Sequence, residues 1–258
     1  MSNVFLIAKT YFKRSWLNII DPIALIGIPL GMVILNLAVF NGQMPDRELI
    51  NGYDPFASFL ASSLVIAFQF FSGMNLFLWY YSDLEGAVKD RLYSTPTSRA
   101  SFIFGKALGS IAFSLIQGIV VIVVTWAFFD ANWGNPIILI LTLLTISIIS
   151  HLVSAITYIL SKSKSQANAI GYIYSFGLMI ISGTFLVNFS ILGLQDNPVV
   201  RFLETRGTPI SLGWRAIQYS GPILDDMSEA IFNVGLLAGI MVVLAIIVAI
   251  LAKRRRSA

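Results

Sequence analysis

The chain has no cysteine among its 258 residues. That excludes disulfides, thiolate metal sites, palmitoylation and thiol catalysis. Histidine occurs once, at His151, so no histidine-based catalytic or metal set can be assembled. Charge is scarce as well: 12% of residues are charged, against about 25% in soluble domains. A surface so poor in charge cannot cover a soluble protein. With 57% hydrophobic residues and a mean hydropathy of +0.80, the chain reads as an integral membrane protein. No carboxylate lies deep in an apolar run, since Asp21, Asp83 and Asp130 all sit at run ends. A proton- or sodium-coupled carrier ordinarily needs such a buried acid. No phosphate loop is present either, because Gly105-Lys106 is followed by Ala107. The chain therefore does not bind and hydrolyse ATP in that way. The net charge of +4 does not point to nucleic acid, because the basic residues gather at the ends of apolar runs.

What is present is apolar length. A span needs about 20 apolar residues, and six runs qualify: 23–40, 56–81, 102–129, 137–160, 167–189 and 230–252. Ahead of them, Val4, Phe5, Ala8, Phe12 and Trp16 recur at helical spacing, with Lys9, Lys13 and Arg14 largely opposite. Residues 1–17 read as an amphipathic helix in the membrane interface, or more simply as a basic anchor for the first span. The apolar run that follows is too long for a cleaved signal peptide. In the first span, Pro29 predicts a kink and Gly27/Gly31 form a small-xxx-small pair. The segment 190–228 is too apolar for a free loop and too interrupted by Pro198, Pro209 and Pro222 for a span. It predicts short helices over 197–204 and 210–219. No internal repeat is visible.

Polar residues within the spans are mild. Gln69, Asn75, Gln117 and His151 are candidates to line a cavity. They can equally bond to neighbouring helices, where such a bond contributes about 0.6 kcal/mol. His151 can relay protons or touch a substrate, or simply fasten two helices.

The informative stretch is 82–106, SDLEGAVKDRLYSTPTSRASFIFGK, which carries seven of the 30 charged residues. Residues 83–93 can make two to three helical turns, with Val88 and Leu92 on one face and Glu85, Lys89 and Asp90 offering charge. Thr95-Pro96 stops that helix, and Ser98 or Ser101 can cap the next one. The run Glu85-Gly-Ala-Val-Lys-Asp-Arg-Leu-Tyr-Ser-Thr-Pro96-Thr-Ser98, followed by Gly105-Lys106, resembles the signature of the type-2 ABC-transporter permease family. Glu85, Arg91-Leu92, Thr95 to Ser98 and Gly105-Lys106 carry the match. Gly86 stands one place before the family glycine, and Ala87-Val88 replace Gly-Thr.

The resemblance implies an all-α membrane protein. Its parts are six transmembrane helices, the N-terminal interface helix, a cytoplasmic coupling helix between spans two and three, and short external helices before span six. Residues 1–258 then form one permease domain, with interface helix 1–17, coupling loop 82–101 and external segment 190–228. It further implies a non-catalytic subunit that pairs with a second permease, homomeric or heteromeric, and with separate ATPase subunits that hold ATP and Mg. Glu85, Lys89, Asp90, Arg91, Leu92, Thr95 and Pro96 would then meet the ATPase. The chain itself needs no cofactor, and its other neighbours are membrane lipids. The expected activity is export of an amphipathic drug, antibiotic or peptide from a bacterial cell, or of a polysaccharide or lipid by the same architecture. A membrane-anchored assembly or immunity protein is the competing class, and an intramembrane enzyme lacks an acid, base or metal set.

Thirteen of the 17 basic residues fall on one side of a six-span topology with both termini cytoplasmic. Single cysteines at Asn51 and Gln195 should react with an impermeant maleimide in intact cells, and Lys162→Cys should not. Labelling of Lys162→Cys would overturn this topology.

Overall fold

The computed structural model describes residues 2–19, 22–43, 49–74, 76–84, 86, 94, 98–183 and 197–257. The elements are α1 (Ser2–Leu17), a π-helical turn (Ile23–Gly27), α2 (Ile28–Gln43), α3 (Pro55–Met74), α4 (Leu76–Leu84), α5 (Arg99–Phe129), α6 (Pro136–Leu160), α7 (Lys164–Ile181), α8 (Pro198–Thr205), α9 (Pro209–Tyr219) and α10 (Met227–Ser257). Among the described residues there is no strand beyond an isolated bridge between Ile50 and Tyr53. Among the described residues, four helices are long and apolar enough to cross a membrane: Pro55–Gly73, Ser101–Phe129, Pro136–Leu160 and Met227–Lys253. The expected first and fifth spans correspond to α2 and α7, which do not combine that length and apolarity among the described residues.

Local chemistry sets the helix ends. Ser98 caps α5 by accepting the N–H of Ser101, and Asn135 caps α6 ahead of Pro136 by accepting the N–H of Ile137. Asp130 takes a left-handed conformation (φ 50°) that ends α5. Asp226 starts α10, accepting the Ser228 hydroxyl and the Glu229 N–H. These bonds hold its carboxyl below the usual carboxylate range, with the Ser228 hydroxyl contributing most. The kink expected at Pro29 takes a particular form. Pro29 lies in the first turn of α2, and the preceding turn is widened, with the Ile28 N–H bonded five residues back to Ile23. A missing N–H at Pro29 is accommodated by that wider winding.

Helix α3 is the hub. Residues 61–70 are all buried, as expected of a helix enclosed on every side. Its small residues Ser58, Ala61, Ser62, Ser63 and Ala67 let neighbours approach closely, which matters where lipid removes the hydrophobic drive between helices. It packs against α5, α6 and α9. The second span, expected as one continuous run over 56–81, falls on α3 and α4, which flank residue 75.

Helix α9 is a wedge among α3, α6 and α10 rather than a surface helix. Ile210, Leu212 and Ile217 are buried, and a Thr208–Ser211 capping box starts it. Gln218 donates 2.9 Å bonds to the Ser58 carbonyl and the Ser62 hydroxyl of α3. At the same end the Asp54 N–H bonds to the Asp130 carbonyl, Asn132 N–H to Ser58, and Asn51 to Pro222. Helix α10, by contrast, has few fully buried residues along its apolar span, although Ile240, Met241 and Leu244 pack partly against the core. A Cβ on Gly213 would lie 2.8 Å from Ile66 Cγ2. Gly213→Val should therefore destabilise the purified protein by about 1–3 kcal/mol through overpacking, read as a lower melting temperature in detergent. An unchanged melting temperature would contradict the wedge.

Candidate functional site

The opposite end of the bundle holds the two ends of the signature stretch, where α1, α4 and α5 meet. Two glycines let α1 lie directly on α5. A Cβ on Gly105 would fall 2.8 Å from the Val4 carbonyl oxygen and 2.8 Å from Ile7 Cβ. One on Gly109 would fall 2.6 Å from the Ala8 carbonyl oxygen. Backbone oxygens cannot swing aside as a flexible side chain would, so glycine is required at both places. Together Gly105 and Gly109 are a small-xxx-small pair at the helix–helix contact. Aromatic side chains extend the seam: Phe12 and Trp16 each lie 6.1 Å from Phe113, and Tyr11 packs edge-on to Trp79 at 6.0 Å.

Lys106, next to Gly105, reaches from α5 to α4. Its ammonium donates to the Asp83 carboxylate and, at 3.3 Å, to the Trp79 carbonyl. It also lies 4.9 Å from the Phe102 ring centroid. The side chains of Lys106 and Asp83 are 5% and 7% exposed. Neither ion is tolerable alone at that burial, so each requires the other. Arg14 joins from α1, 3.7 Å from Asp83 and stacked 4.3 Å over the Trp79 ring. The Tyr80 hydroxyl donates to the Ile103 carbonyl at 3.2 Å, and that of Tyr81 to Ser161 at 2.7 Å, tying α4 to α5 and to the α6–α7 corner.

Asp83 and Lys106 are the first and last charged residues of the stretch 82–106. Their pair joins the two ends of a stretch whose interior carries the signature. That interior, with Glu85, Lys89, Asp90, Arg91, Leu92, Thr95 and Pro96, lies outside the described residues, as does Asn75.

The remaining candidates fall in a polar seam between α3, α5 and α6. Gln69 donates to the Ser114 hydroxyl at 3.0 Å, and the Ser114 and Ser147 hydroxyls are 2.9 Å apart. His151 Nδ1 donates to the Ser147 carbonyl at 2.6 Å. Gln117 is buried close by on α5. The Gln69–Ser114 and Ser114–Ser147 bonds join neighbouring helices, whereas the His151 bond stays within α6; the Gln69 Oε1, Gln117 Oε1 and His151 Nε2 acceptors have no partner among the described residues.

A family model described as ABC-2 type transporter matches residues 3–191, from α1 through α7. The chain belongs to the ABC-2 type transporter family. It is thus the non-catalytic permease part of an ABC transporter and a multi-pass membrane protein. No curated protein and no solved structure matches it. In this ABC-2 permease the glycine and lysine of the sequence signature have distinct physical jobs: Gly105 admits the α1 backbone, and Lys106 neutralises Asp83. Sequence reasoning placed Asp83 only at a span end and missed Gly109 and Arg14. The signal available was the Gly105-xxx-Gly109 spacing and the opposite charges bracketing the loop.

Lys106→Met should destabilise the permease by about 3–5 kcal/mol, since it leaves a buried carboxylate. Asp83→Leu combined with Lys106→Met should recover most of that loss. Denaturant unfolding of the purified protein measures both. Equal losses in the single and double variants would contradict a buried, mutually dependent pair.

Proposed function

We propose that this permease pairs with a second permease subunit, and that each binds a separate ATPase subunit on the face carrying the loop 82–101. ATP and Mg act on the ATPase, and no ATP chemistry is assigned to this chain. Both termini are cytoplasmic in this reading, and α8 and α9 lie toward the external side. Six membrane crossings include α2 and α7. The cargo is an amphipathic drug, antibiotic or peptide moved out of the cell.

The observation that carries the reading is the joining of the two ends of the signature stretch. A force applied to residues between Asp83 and Lys106 meets two helices already bound to each other and to α1. Such a junction passes displacement to α4 and α5 together, where a floppy loop would absorb it. Glu85, Lys89, Asp90 and Arg91 supply charge for the ATPase, Leu92 an apolar anchor, and Thr95-Pro96 the helix stop. An amphipathic cargo is favoured by the aromatic side chains of Tyr172 and Phe176 on α7, both about two-fifths exposed, which lie 6.1 and 5.5 Å from Phe71 of α3.

Glu85→Ala and Arg91→Ala should each lower permease-stimulated ATP hydrolysis or transport in proteoliposomes. A charged group that loses its partner in a desolvated contact costs about 2–5 kcal/mol. Wild-type assembly, stimulated hydrolysis and transport in both variants would show that this loop does not couple the subunits. Intact assembly with failed transport would mean that these residues transmit motion and do not supply affinity.

A further inference from the structure

Beside the ion cluster, α1, α4 and α5 bound a partly open cavity of about 300 Å³. That volume is at the lower end of small-molecule sites, which run to about 300–1,000 Å³. Leu6, Ile7 and Phe102 supply apolar lining, and Arg14, Asp83 and Lys106 supply charge. The two kinds of lining are separated along α1, with Arg14 about two turns beyond Leu6 and Ile7.

We propose that this cavity holds an acyl chain of an anionic glycerophospholipid, whose phosphate sits on Arg14. The charge balance argues for an anion. Among the described residues, Lys106 and Asp83 neutralise each other, and Arg14 adds a second cation to the same carboxylate. Its guanidinium side chain is 54% exposed, so part of its five-donor fork is open to a phosphate. Lys9 and Lys13 stand exposed on the same helix, and basic residues near a membrane surface draw anionic lipid. The apolar lining argues for a chain and against a free phosphate ion. Helix α1 also carries exposed Phe5, Leu6, Trp16 and Leu17, the dress of a helix lying at a membrane surface, so the cavity opens where lipids are at hand. The bound lipid would press α1 onto α4 and α5 at the junction that carries Asp83.

The test needs no ATPase, so it stands or falls separately from the coupling role. The full chain is reconstituted in vesicles with equal amounts of phosphatidylcholine and phosphatidylglycerol, re-extracted, and examined for retained lipid by native mass spectrometry. The wild type should retain phosphatidylglycerol in preference. Arg14→Gln should lower that preference about fivefold, the effect of one basic residue at a membrane surface, and Arg14→Lys should keep most of it. Ile7→Trp, which fills the cavity, should remove retention of both lipids. Leu6→Trp, at an exposed position, repeats that test if the first variant fails to fold. Equal retention of the two lipids by the wild type, no retained lipid, or retention unaffected by Arg14→Gln would overturn the proposal. So would cavity-filling variants that retain lipid normally, as they would if a peptide segment occupied the site.

Discussion

The contact of one backbone on another at Gly105 and Gly109 is the constraint on which this end of the structure depends. Residues 105 and 109 must both lack a side chain for α1 to reach the depth at which Tyr11 and Ser15 are buried. Once α1 lies there, Arg14 is brought to Asp83 and the Trp79 ring. The Asp83 carboxylate and the Lys106 ammonium, both buried, then have every incentive to stay paired, because separating them strands two charges in a medium of low polarity. In lipid, where apolar side chains gain little from leaving their surroundings, such steric fits and polar ties decide which helices associate. The two devices are adjacent in sequence, at 105 and 106, and they fix different partners.

The far end of the bundle is fastened by other means. There, beside an Arg206–Glu229 ion pair that joins the end of α8 to α10, the ties are neutral: Gln218 to Ser58 and Ser62, Asn132 to Ser58, and the Asn135 N–H to Ser220. Many hydroxyl and amide bonds surround the buried wedge α9, in place of one ion cluster. Between the two ends the Gln69–Ser114–Ser147–His151 seam supplies directional bonds that a core of Leu and Ile alone would lack.

Much of the helix order was legible from local chemistry. Ser98, Pro136 and Pro209 mark helix starts whose caps depend on residues within three positions, and apolar length located α5, α6 and α10. The signature at 85–98 and 105–106 led to the family that the comparison then showed. What the sequence hid is tertiary. Asp83 and Lys106 are 23 residues apart, and nothing local distinguishes a buried pair from two span-end charges. The widened turn before Pro29 was foreseen only as a kink. Apolar content and the flanking prolines pointed to a short helix over 210–219, whereas the burial of α9 against α3 and α6 depends on which helices surround it.

The central claim is that glycine-dependent docking of α1 makes α1, α4 and α5 one unit. With no native cysteine, spin labels can be placed at Lys13→Cys on α1 and Leu108→Cys on α5, both exposed positions, and their separation measured by pulsed electron paramagnetic resonance in nanodiscs. A single narrow distance distribution is expected in the otherwise native chain, and a broad or longer one when Gly109→Leu is added. A broad distribution in the native chain, or one that Gly109→Leu leaves unchanged, would contradict it.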